Sequence, residues 1–179
     1  MTHFAVTAVG ADRPGIVAAV TRAFVDHGCN LEDSSMTILR GQFAMMLVVD
    51  APGGVGAAEL EAALAPPAAE LDLVVTVRAA PEPAHDTGEP ESSWTVSVYG
   101  ADHPGIVHGV ASLLAANSVN IVDLSTRVVG SPEAPVYAMV LEVALPPGAD
   151  PRQLERQLEV TAGELGVTCR LHPSEADIL

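Results

Sequence analysis

The octapeptide Gly-Ala-Asp-Arg-Pro-Gly-Ile-Val at Gly10–Val17 returns as Gly-Ala-Asp-His-Pro-Gly-Ile-Val at Gly100–Val107. The 90-residue offset from Gly10 to Gly100 then holds without a gap. Val20 matches Val110, Asn30 matches Asn120, Asp33 matches Asp123, and Ser35 matches Ser125. Two copies are too few for a solenoid, whose repeats bury their faces against several neighbours. A unit of this length can carry its own core, so the chain reads as a tandem duplication of one small domain.

Each copy spells the same order of elements. His3 to Val9 is a β-branched, apolar run and predicts a strand, and Gly10–Arg13 predicts a turn. Pro14-Gly15 then opens a helix, since proline suits the first helical position. Ile16, Val17, Val20, Phe24 and His27 recur near the 3.6-residue period, and Gly28 fits a left-handed cap. Strands are expected at Asn30–Leu39 and Gln42–Asp50, joined at Arg40-Gly41. A helix follows over Ala57–Leu71, broken or kinked at Pro66-Pro67, and then a strand over Leu73–Arg78. The order β-α-β-β-α-β is the ferredoxin-like unit of the α+β class.

In the second copy, strands are expected at Trp94–Tyr99, Val119–Val129, Val136–Leu145 and Val167–His172. Its helices are expected at Pro104–Asn117 and Pro151–Leu165, the latter capped by Asp150. Gly130–Pro135 predicts a longer loop than its counterpart. The resulting boundaries are a first domain at 1–80, a linker at 81–93, a second domain at 94–172 and a tail at 173–179. The linker holds three prolines, one glycine and four acids, which favours an extended, solvated chain.

Charge limits the partners. The net charge is −15, from 23 acids against 8 bases, and every base is arginine. A phosphate backbone is bound chiefly through a basic patch, and the arginines do not cluster, so direct nucleic-acid binding is not expected. The start Met1-Thr2-His3-Phe4 lacks a basic region followed by an apolar one, and no apolar run approaches a membrane span. Cys29 and Cys169 make neither a disulfide framework nor a zinc site. A cytoplasmic, reduced protein with no cofactor and no membrane partner is expected.

The segments Gly10–Val17 and Gly28-Cys29-Asn30-Leu31-Glu32-Asp33-Ser34, with the hairpin Gly41–Leu47, resemble ACT domains. The likeness extends over both copies and is similar to the tandem-ACT family of the glycine cleavage system transcriptional repressor. The resemblance implies a regulatory protein that binds a small amino acid, such as glycine or serine, between the first loop and the loop after the first helix, often across a domain interface, with Asn30 reaching the ligand from the same or a neighbouring domain. It places Asp12, Arg13, Pro14, Gly15, Ile16, Asn30 and Leu31 at a candidate site. Asp102, His103, Gly105 and Asn120 are their counterparts in the second copy. The chemistry agrees: a helix N-terminus offers unpaired N–H groups to a carboxylate. Gly15 clears the approach, Asp12 accepts from an ammonium group, and Asn30 adds an amide.

Structural roles explain the same residues. Asp12 reads equally as a helix cap, and Asn30 as a residue tolerated in a left-handed turn. Asp33 and Asp123 read as exposed, and Met45 and Met46 as packing residues. No catalytic string appears. Cys29 gives way to Val119 in the second copy, and His103 and His108 are poorly spaced for a shared metal. The chain is therefore not expected to be an enzyme. Formyltetrahydrofolate deformylases carry a similar segment ahead of a long catalytic domain, so a regulatory subunit of an amino-acid or one-carbon enzyme is an alternative. A dimerising scaffold without ligand is another. The expected partners are a regulatory protein or a metabolic enzyme, and a second copy of the chain, because a four-stranded sheet leaves edges that need cover.

Overall fold

Alternation along the strands builds both cores. The computed structural model describes residues 2–80, 92–131 and 134–174, and the chain divides into two compact units between Asp86 and Thr87. In the first unit, Phe4, Val6 and Ala8 of β1 (Thr2–Ala11) are buried, as are Phe43, Met45, Leu47 and Val49 of β3 (Gln42–Ala51). These residues share one face of a sheet ordered β2-β3-β1-β4, whose β2 is Asn30–Leu39 and β4 Leu73–Ala79. Helices α1 (Ile16–Asp26) and α2 (Ala57–Leu71) cover that face with Ile16, Val20 and Phe24, and with Leu60 and Leu64. Val17 lies off this stripe, 43% exposed, and Met46 points to the helix-free face, 56% exposed. Met46 is therefore not the packing residue expected of it.

The second unit repeats the plan with β5 (Ser92–Gly100), α3 (Ile106–Ala116), β6 (Asn120–Ser131), β7 (Ala134–Leu145), α4 (Pro151–Glu164) and β8 (Val167–Pro173). Its sheet order is β6-β7-β5-β8, again antiparallel throughout. The α+β class and the βαββαβ order are as expected. Of the expected linker, residues 81–91 lie outside the described residues, and Ser92 and Ser93 already belong to β5. Pro173 ends β8, and the Ser174 N–H donates to the Ser93 carbonyl at 3.1 Å; the rest of the expected tail, 175–179, is outside the description.

Three expectations are corrected. The first helices do not begin at proline: α1 starts at Ile16 and α3 at Ile106. Gly15 and Gly105 are their N-caps, at φ 97° and 103°. A left-handed residue directly after Pro14 or Pro104 interrupts any right-handed helix begun at the proline, so the helix starts after the glycine. Helix α2 runs unbroken through Pro66 and Pro67, because buried Leu60 and Leu64 before them, and Ala68 and Leu71 after them, pack on one core. Tertiary burial outweighs the lost backbone bonds. Finally, Gly130–Pro135 is no long loop. β6 and β7 each have twelve residues against ten in β2 and β3, and Gly130 pairs with Pro135 and Ser131 with Ala134. The extra residues lengthen the hairpin.

Helix α1 closes in a Schellman motif, with the Cys29 N–H on the Phe24 carbonyl (2.9 Å) and the Gly28 N–H on that of Val25 (3.1 Å). The second copy makes the same bonds from Val119 and Ser118, but Ser118 holds φ 56° with a side chain attached. Left-handed backbone costs a non-glycine residue about 1–2 kcal/mol, partly offset by the greater freedom of glycine when unfolded. Ser118→Gly is therefore expected to stabilise the second unit by about 0.5–1 kcal/mol. Trp94, the single tryptophan, lies in β5 and packs against the core of that unit, so its fluorescence follows that unit. A denaturation midpoint by its fluorescence that stays put or falls would refute the strain argument.

Candidate functional site

The loop after β1 is held by its backbone. The Asp12 N–H donates to the Gly41 carbonyl at 2.9 Å, which ties the loop to the hairpin turn. Arg40 and Gly41 in that turn both have positive φ, 50° and 78°, as a type I′ hairpin requires. Past Pro14 the chain passes through Gly15 into α1. The first helical bond runs from Ala19 N–H to the Gly15 carbonyl at 2.9 Å, so the N–H groups at the helix mouth have no partner within the helix. No side chain among the described residues caps them. Asp12, three residues before the N-cap, is therefore not a helix cap. The same holds at Gly105 in the second copy, where Gly109 N–H bonds the Gly105 carbonyl at 2.9 Å.

Beside the second loop lies a cavity of about 560 Å³, walled by Asp102, His103, Gly105, Ile106, His108 and Tyr137, among others. Tyr137 enters because it pairs with Gly100 across β5 and β7. Its phenol is pushed above its ordinary value by burial, against a bond to Thr126 that lowers it, with the Asp102 charge adding to the rise. His103 spans the loop: its Nε2 lies 2.6 Å from the Leu165 carbonyl oxygen and its Nδ1 3.0 Å from that of Pro104. Neither Tyr137 nor Leu165 is signalled by the sequence. Both reach the site through strand register and helix packing, which the linear pattern does not carry.

Asn30 and Leu31 lie elsewhere. Asn30 begins β2 and pairs with Asp50, which pairs in turn with His3 at the start of β1. Asp12 follows Ala11 at the other end of the sheet, level with Gln42 and Leu39. The ten residues of β2 separate the two by roughly 30 Å at about 3.3 Å per residue. One small amino acid cannot touch both within a domain. Asn120 and Asp102 are separated in the same way, since Asn120 pairs with Ala144 and Tyr137 with Gly100. Nor does Asn30 occupy a left-handed turn; Gly28 takes that conformation. Leu31 is 40% exposed beside a β-bulge at Glu32, and Val122 forms the matching bulge.

At the Asn30 end, His3 Nε2 lies 3.3 Å from a Glu32 carboxylate oxygen. His3 Nδ1 and Asp50 Oδ1 are buried without partners among the described residues. The second copy has Ser93, Val122 and Ala144 at these places. Among the described residues no group of three His, Cys, Asp or Glu side chains is placed to hold a metal ion. Burial holds the Cys169 thiol up at about 11. It also raises that of Cys29, with help from Asp50 and Glu59. Neither thiol is the ready thiolate that nucleophilic chemistry needs. No helix among the described residues is long and apolar enough to cross a membrane.

Comparison with known proteins places these features in a family. The ACT domain model matches residues 2–78 and again 94–172. The glycine cleavage system transcriptional repressor of Escherichia coli (strain K12) is 31% identical over 169 residues, which cover 91% of this chain and 85% of that protein. A solved structure of an unknown protein from Galdieria sulphuraria is 28% identical with a TM-score of 0.81, covering 97% of this chain and 99% of its own. Another, provisionally assigned as a glycine cleavage system transcriptional repressor, has the same fold at 21% identity and a TM-score of 0.74. It covers 97% of this chain and 98% of its own. Both copies of the repeat are thus ACT domains, and the chain belongs to the ACT domain family as a tandem pair homologous to the glycine cleavage system transcriptional repressor.

Proposed function

We propose that the chain is a cytoplasmic amino-acid sensor, binding a small zwitterion such as glycine or serine and passing that state to a regulatory protein. One observation carries the reading: in both copies an uncapped helix N-terminus opens under a left-handed glycine, next to an aspartate that does not cap it. The free N–H groups suit the carboxylate and Asp12 or Asp102 the ammonium group. A second domain completes each site. Every residue of β2 is exposed, and its outer edge is unpaired among the described residues. An antiparallel neighbour on that edge sets its own Asn30, or Asn120, opposite Leu39 and therefore beside Asp12. Titration calorimetry with a panel of amino acids tests the reading, and no heat with any of them would leave a scaffold instead.

Regulation in this reading runs through protein contacts. At −15 the chain repels a phosphate backbone. The purified protein is expected to leave DNA unshifted in a gel retardation assay at moderate salt. Sequence-specific retardation by the protein alone would contradict the partner-mediated route.

A further inference from the structure

Nothing in the amino-acid reading requires the site loop of the second copy to be tied to its last helix, yet one side chain does this. His103 bridges 62 residues of sequence to reach Leu165. Both of its ring nitrogens face carbonyl oxygens, Leu165 at 2.6 Å and Pro104 at 3.0 Å. A neutral imidazole carries one N–H, so it satisfies one acceptor and turns a lone pair toward the other; the imidazolium donates to both. Leu165 is also the C-cap of α4, where the helix dipole gathers negative charge and favours a cation. Gly109 supports the approach: a Cβ there would stand 2.9 Å from Leu165 Cδ1, so glycine, where the first copy has Ala19, lets the end of α4 come against α3. Asp102 beside His103 adds a negative charge, while His108 on α3 and Tyr137 on β7 share the cavity.

We propose that His103 is a proton-operated latch, a positioning residue whose imidazolium clamps the Asp102–Gly105 loop to the end of α4 and whose neutral form releases one of the two bonds. The first copy places Arg13 at the matching position, a side chain that keeps its charge at every pH. The duplicated sites would then differ in one respect: the loop of the second copy responds to pH and that of the first does not. The two carbonyl bonds, to Pro104 and then Leu165, together with Asp102, hold the histidine above its ordinary value of 6.5 and outweigh the opposing effect of burial. A raised value means that the latch stabilises the second unit fully below 6.5 and is lost as pH rises through the folded value.

The latch stands on the loop alone, while its bearing on ligand binding rests on the sensor reading above. The test is a ¹⁵N NMR titration of the full chain without ligand. The His103 ring is expected to titrate with a midpoint above 6.5, both nitrogens protonated below it. The Gly166 amide, bonded to the Leu165 carbonyl carbon, should move with the same midpoint, and so should Gly105. His103→Gln should abolish the titration of Gly166. His103→Arg should hold the loop amides near their low-pH wild-type positions across the range. A midpoint at or below 6.5, or a Gly166 amide indifferent to the His103 titration, overturns the latch. Glycine affinity at the second copy should follow the same midpoint in the wild type and lose its pH dependence in His103→Arg. Absence of any glycine binding would count against the sensor reading and leave the NMR result to decide the latch.

Discussion

Asp12→Ala is expected to weaken glycine binding at the first copy by about one to two decades, because a charge-assisted hydrogen bond is worth roughly 1.5–3 kcal/mol. Asp12 sits three residues before the N-cap of α1, and that cap has no side-chain bond. Its removal should therefore leave stability nearly unchanged, where loss of a true cap costs about 1 kcal/mol. Asn30→Ala should weaken binding too, although Asn30 lies at the far end of its own sheet. In the proposed reading, each site draws its asparagine from another domain across the β2 edge. If two first copies pair, mixing the two mutant chains restores one intact site per dimer, with Asp12 from one chain and Asn30 from the other. If β2 pairs with β6 instead, Asn120→Ala rather than Asn30→Ala carries the loss. Asp102→Ala should spare the first site. Calorimetry on each mutant, with light scattering for the dimer and circular dichroism for the fold, reads all of this. Unchanged glycine affinity in folded Asp12→Ala would move the ammonium site elsewhere.

The repeat makes the fold legible in the sequence. The bounds of β2 (Asn30–Leu39) and α2 (Ala57–Leu71) follow from periodicity and breakers alone. The left-handed cap at Gly28 follows from the residue type. Local preference misleads at three points. Pro14 favours a helix start, but Gly15, the next residue, takes a left-handed conformation first. Pro66 and Pro67 favour a break, but the core on both sides holds α2 together. Gly130–Pro135 has the composition of a loop, but strand pairing claims most of it. In the last two a long-range contact outweighs the local tendency. The candidate site shows the same limit. Its residue types were legible, and they single out the loop at Asp12 as the candidate. The separation of Asp12 from Asn30 was not, because it depends on β2 running parallel to β1 with β3 between them. His103, placed at the site by resemblance, has both ring nitrogens facing backbone carbonyl oxygens, which the residue type alone does not signal.

Gly10→Ala is expected to cost the first unit about 1–3 kcal/mol, the usual range for atoms forced into filled space. The octapeptide begins with this glycine in both copies for a packing reason rather than a chemical one. Gly10 pairs with Leu73 at the start of β4. A Cβ there would stand 2.7 Å from the Asp72 carbonyl oxygen and 2.7 Å from Leu73 Cδ2. The leucine tip can turn away; the oxygen cannot, because Asp72 is fixed at φ 55° as the C-cap of α2. Leu73→Ala should therefore fail to rescue Gly10→Ala, and the double mutant should unfold at lower denaturant than Leu73→Ala alone. Gly100→Ala meets Val167 instead, at 2.6 Å from Cγ1 and 3.0 Å from Cα, and should cost the second unit a similar amount. The two units need not unfold together, so the readouts must be separate. Trp94 fluorescence should register Gly100→Ala and ignore Gly10→Ala, while far-ultraviolet circular dichroism registers both. The same strand end carries Asp12, two residues on. A Gly10→Ala protein that stays folded is accordingly expected to bind glycine less well than wild type. Equal denaturation midpoints for the double mutant and Leu73→Ala would show that the backbone oxygen gives way, and that Gly10 is dispensable to the fold.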